Sequence, residues 1–121
     1  MSEGRMRLSF GGKDNIYLDQ KERATYWTIV IAMKLLWQEG KQKYSMTRLL
    51  KTAFEHRLEE HITENKLRRI IAYLITSRPR YIHVRQKGNF RIVFPSKFTV
   101  ENFGFEKEAP LLDVIGGNGE L

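Results

Sequence analysis

Between Ala24 and Glu39 the chain runs sixteen residues without glycine or proline, and most of them are apolar. Tyr26, Ile29, Val30, Met33, Leu36 and Trp37 follow the 3.6-residue period of a helix, and Trp27, Ile31 and Leu35 add apolar surface on its flank. A helix this apolar on all sides cannot stand in water. It becomes the centre of a core, or it shares a face with a second protein. The rest of the fold must therefore wrap around it. Asp19 with Glu22 three residues on predicts an aspartate version of the capping box at its start, and Gly40 sits where a C-terminal cap belongs. Thr28 and Lys34 interrupt the apolar run, which falls short of the ~20 residues of a membrane span.

The wrapping elements follow in order. A second helix is predicted from about Thr47 to Leu58, with Leu49, Leu50, Ala53, Phe54, Arg57 and Leu58 as its stripe. Tyr44 just before it suits a short strand. A third helix starts at Thr63, a good N-cap, with Glu64 in its first turn. Ile62 and Leu67 fit a hydrophobic staple, and Leu67, Ile70, Ile71, Leu74 and Ile75 form its apolar face. Pro79 bounds it. Tyr81 to Gln86 and Phe90 to Phe94 are rich in β-branched and aromatic residues, and Lys87-Gly88-Asn89 between them predicts a hairpin loop. Met6 to Phe10 alternates like an edge strand, and Gly11 to Asn15 reads as a loop. From Phe103 onward, including the apolar run Leu111 to Ile115, a loop is expected. At 121 residues the chain suits one α+β domain: an arm over 1–19, a folded unit over 20–97 and an acidic-apolar tail over 98–121.

Charge sharpens this division. The chain carries 21 Lys and Arg against 14 Asp and Glu, a net charge of +7. Residues 41–97 hold fourteen of the bases and four of the acids, whereas 98–121 hold one base and five acids. All of the excess positive charge lies in the middle. Concentration of this kind reads as the footprint of a polyanion, nucleic acid before an anionic membrane. Absence of cysteine excludes disulfides, thiolate metal sites and cysteine nucleophiles.

Helix, short extended stretch, helix, turn, helix and hairpin is an order that, from about Gln20 to Pro95, resembles the winged helix-turn-helix family. The resemblance implies a three-helix winged helix-turn-helix with a C-terminal β-hairpin wing. It also implies a third helix in the DNA major groove and a wing on the backbone or minor groove. One departure is the turn Glu59-Glu60-His61-Ile62, which lacks glycine and carries two acids. On the third helix the face opposite Leu67 and Ile71 holds Asn65, Arg69, Ala72 and Thr76, with Lys66 and Tyr73 on one edge and Arg68 on the other. Arg pairs bidentately with guanine and Asn with adenine, so this face has base-reading chemistry. Only Glu64 is acidic between Thr63 and Thr76. The wing contributes Arg78, Arg80, Arg85, Lys87 and Arg91, with no acid from Arg78 to Lys97. These suit phosphates.

Other chemistries have little support. His56 and His61, five residues apart, lie among Glu55, Glu59, Glu60 and Glu64, without the spacing of a zinc site. No helix follows Gly11-Gly12-Lys13 to make a phosphate loop. The expectation is a protein that is not an enzyme and takes no metal or other cofactor. Its expected role is a small DNA-binding regulator of transcription, or of replication or mobile-element function. Double-stranded DNA is the expected partner, with no membrane association. A homodimer through helix 20–39 or the C-terminal tail would enlarge the ~600–1,000 Å² that one module buries on DNA. The alternative is a module of the same fold that docks on RNA or an acidic protein within a larger assembly. The first five residues lack the apolar core of a signal peptide, so the expected location is cytoplasmic and nucleoid-associated, or nuclear in a eukaryote.

Overall fold

A computed structural model of the chain describes residues 6–9 and 15–106. The fold is mixed α+β. Strands β1 (Met6–Ser9) and β2 (Asn15–Leu18) pair antiparallel, with Met6 opposite Leu18. Then come α1 (Gln20–Gln38), β3 (Tyr44–Ser45), α2 (Met46–Glu55) and α3 (Glu64–Thr76). Strands β4 (Ile82–Lys87) and β5 (Phe90–Pro95) and helix α4 (Lys97–Asn102) complete it. The second sheet is antiparallel, in the order β3-β5-β4. Short β3 pairs with β5, Tyr44 opposite Val93, and so ties the hairpin to the α1–α2 connection.

The capping box forms as read: the Glu22 amide donates to Asp19 Oδ1 at 2.8 Å, and the Asp19 amide donates to Glu22 Oε1 at 3.1 Å. At the other end Gly40 takes φ +85°, a left-handed conformation that costs glycine little. Its amide reaches Trp37 O and that of Lys41 reaches Leu36 O, the two bonds of a Schellman cap. Between these caps α1 is the centre of the core. Ile29, Val30, Ala32, Met33 and Leu36 are fully enclosed by Leu49 and Ala53 of α2, Leu67, Ile70 and Leu74 of α3, and Ile82 and Val93 of the sheet. The apolar face of α1 is thus covered by its own chain. Trp27, Leu35 and Trp37 lie half-buried against the same core.

Several expectations are corrected. There are four helices, not three. The 98–121 segment divides: α4 and the turn to Phe105 pack on the core, with Phe105 buried and Phe98, Val100 and Phe103 lining its edge. Ser96 starts that helix by accepting from the Thr99 amide. Six residues are too few to display a period, so this helix has no sequence signature. The expected loop from Phe103 is a capped turn as far as Phe105, with Gly104 at φ +59° and the Phe105 amide on Val100 O. Residues 107–121, with Leu111 to Ile115, lie outside the described residues, as do 10–14. Asn15, read as loop, opens β2. Helix α2 stops at Glu55 and not at Leu58, because the chain turns so that the Leu58 amide donates to Thr28 Oγ1 at 3.1 Å. Phe54 and Leu58, placed on its stripe, are exposed; burial runs instead through Leu49, Leu50, Thr52 and Ala53. The hairpin loop is two residues, Gly88-Asn89, since Lys87 pairs with Phe90. Among the described residues no helix is long and apolar enough to cross a membrane.

Candidate nucleic-acid interface

Helix α3 is held by its inner face. Leu67, Ile70, Ile71 and Leu74 are buried, and Thr63 caps the start by accepting from the Lys66 amide. The opposite face is fixed by that packing. Asn65, Arg68, Arg69, Ala72 and Thr76 are exposed there, and Lys66 and Tyr73 are half-buried at its edge, as the sequence placed them.

The electrostatics of this face are less open than the sequence suggested. Arg69 is paired with Glu22 of α1, across the junction of the two helices. Arg68 Nη2 lies 2.9 Å from Glu64 Oε2, one turn back. Lys66 Nζ approaches His61 Nδ1 at 3.4 Å, and His61 is itself paired with Glu59 at 2.9 Å. Thr76 Oγ1 turns back on Ala72 O. The acids of the α2–α3 turn are exposed, and one of them, Glu59, serves His61. No sequence spacing announces the Glu22–Arg69 pair, whose members are 47 residues apart.

The hairpin differs. Arg78, Arg80, Arg85, Lys87 and Arg91 are all exposed, and among the described residues none of them is in an ion pair. The hairpin is joined to α3 by the Tyr81 amide on Leu74 O and to α4 by the Ser96 amide on Tyr81 O. Tyr81 also stacks edge-on with Tyr26 and Phe98, at 5.6 and 5.2 Å between ring centres. These contacts tie the base of the hairpin to α1, α3 and α4.

The outer face of the sheet carries a further set of side chains. Cross-strand partners share a face. Phe90 lies opposite Lys87, Ile92 opposite Arg85, and Phe94 opposite His83. Val93, between them, points into the core and is fully buried. The outward set is therefore aromatic and basic. Lys43 Nζ stands 5.3 Å from the centre of the Phe94 ring, and Arg85 Cζ 5.9 Å from it. Alternation of Phe90, Ile92 and Phe94 was the available signal.

Burial pushes the Tyr26 phenol far above its usual range, and the neighbouring Tyr81 hydroxyl, 3.3 Å away, adds to the shift. Burial likewise raises Tyr44 and Tyr81. All three belong to the core. Among the described residues no three His, Asp or Glu side chains stand where they would hold a metal ion. No family model, curated protein or solved structure matches the chain.

Proposed function

We propose that the chain binds double-stranded DNA as a winged helix-turn-helix protein, with α3 in the major groove and the β4–β5 hairpin on the phosphate backbone. Its role would be that of a small regulator of transcription, or of replication or mobile-element function. One observation carries the reading: an exposed helix face of Asn65, Arg68, Arg69 and Thr76 is tied by backbone hydrogen bonds to a hairpin whose cations, among the described residues, are in no ion pair. The helix has side chains that discriminate bases, and the hairpin has charge that phosphates neutralise. The Glu22–Arg69 and Glu64–Arg68 pairs do not oppose this. Exposed ion pairs are worth ~0–1 kcal/mol and yield readily to a stronger acceptor.

The test is a pair of variants, measured on a site selected from random duplexes and on unrelated duplex at two salt concentrations. Arg69→Ala is expected to cost roughly 1–3 kcal/mol on the selected site and far less elsewhere. Lys87→Ala is expected to weaken binding about equally on every sequence and to lower the salt slope by about one contact. A folded Arg69→Ala protein that binds both duplexes like the wild type overturns the major-groove assignment. The rival reading, a module docked on a protein partner through an apolar interface, draws on Phe54 and Leu58, about two-fifths exposed at the end of α2. Apolar docking would respond little to salt, whereas binding through several phosphates weakens steeply.

A further inference from the structure

The outer face of the β3-β5-β4 sheet shares Arg85 and Lys87 with the duplex-binding hairpin, and it needs nothing from α3. Phe90 is 68% exposed, the most exposed large apolar side chain among the described residues. A phenylalanine in water at the tip of a hairpin contributes nothing to the core. Its position is not loose: it pairs with Lys87 at the closing rung, and Gln86 Nε2 donates to Gly88 O at 2.8 Å across the loop. Behind it on the same face come Ile92 and then Phe94, with His83 beside Phe94 at 5.2 Å between ring centres. Cations interleave with these groups: Lys87 opposite Phe90, Arg85 opposite Ile92, and Lys43 over Phe94. Among the described residues none of the three is in an ion pair.

We infer that this face binds single-stranded nucleic acid, with a base stacked on Phe90 and phosphates held by Lys87, Arg85 and Lys43. A duplex hides its base faces inside the stack, so a flat, exposed ring on a sheet suits unpaired bases. Every base has a π-face, so the site tolerates any sequence; the cations track the backbone. Phe90 and Phe94 are four residues apart on one strand, ~13 Å at 3.3–3.4 Å per residue. Phe94 and Lys43 also line a groove of about 330 Å³ whose far side carries Lys97, Glu101 and Glu106. Those carboxylates end the basic track.

Fluorescence anisotropy with labelled oligo-dT, oligo-U and a duplex, at low and moderate salt, tests the assignment. Phe90→Ala is expected to weaken oligo-dT or oligo-U binding roughly 5- to 150-fold, the range for loss of one stacked base. Phe90→Trp should restore it, and Phe90→Leu should not. Whichever oligomer binds more tightly identifies DNA or RNA as the natural strand. Arg69→Ala should leave this binding unchanged. A loss of duplex binding in Arg69→Ala alone, or of single-strand binding in Phe90→Ala alone, shows that base reading by Arg69 and stacking on Phe90 stand or fall separately. The inference is overturned if neither oligomer binds at low salt. It is also overturned if a folded Phe90→Ala binds like the wild type while Arg85→Glu abolishes binding, since the face would then be only an electrostatic one.

Discussion

Glu22 shows how one side chain serves two structures. Its Oε1 accepts from the Asp19 amide in the capping box, while its Oε2 takes Arg69. Both Arg69 and Glu22 keep some contact with solvent, so the pair is a modest restraint on the arginine. Glu22→Gln keeps an oxygen for the cap and removes the charge that holds Arg69. Duplex binding is therefore expected to tighten, by up to about fivefold for an exposed pair worth ~1 kcal/mol. The melting temperature should change little. Titration of the variant on duplex DNA checks this; weaker binding would mean that Glu22 aims Arg69 at the DNA and does not compete for it. Asp19 and Glu22 were legible as a cap because their spacing is local. Their second role was not, because Arg69 arrives from another helix.

At the scale of elements, α4 and α1 are joined by the side chain that most resembles an error in the sequence. Lys34 interrupts the apolar run of α1, yet it is only 2% exposed. Its stem lies in the core, and its Nζ donates to Gly104 O at 2.7 Å, at the turn that closes α4. A lysine there reaches where leucine would stop. Lys34→Met keeps most of the volume and removes that bond. The expected cost is ~1.5–3 kcal/mol, the value of a hydrogen bond to a charged group. Faster amide exchange should be confined largely to residues 97–105. Hydrogen exchange and a thermal melt measure both. Unchanged protection would mean that the aromatic contacts of Phe98, Phe103 and Phe105 hold α4 by themselves. Helices α1 and α3 were legible from caps and period, and α2 from its apolar stripe alone. Helix α4 and strand β2 were not, because α4 is under two helical turns and β2 follows directly on the loop signals of Gly11 to Asn15.

For the whole molecule, the enclosed phenols set a limit on alkaline stability. Tyr26, Tyr44 and Tyr81 have pKa values raised above the ordinary 10.0 by burial. The unfolded chain therefore releases these protons first. Stability from the neutral phenols is complete below about pH 10 and falls as pH rises above it, by up to ~1.4 kcal/mol per pH unit for each tyrosine. Tyr44→Phe should flatten that fall. At neutral pH it should leave stability equal or higher, because the Tyr44 hydroxyl is buried and has no hydrogen-bond partner among the described residues. Urea titrations between pH 8 and 11 decide; an unchanged slope would show that Tyr44 ionises in place. The sequence by itself determined the α+β class, the central helix from its unbroken apolar run, the caps at Asp19 and Thr63, and the basic middle of the chain. Each is a property of neighbours along the chain, where spacing and composition dictate geometry. Only the tertiary structure decided that Arg69 meets Glu22, that Lys34 anchors α4, and that Lys43 joins the outer face of Phe90, Ile92 and Phe94. Those contacts join residues far apart in sequence, and their existence follows from how the sheet and helices close around α1.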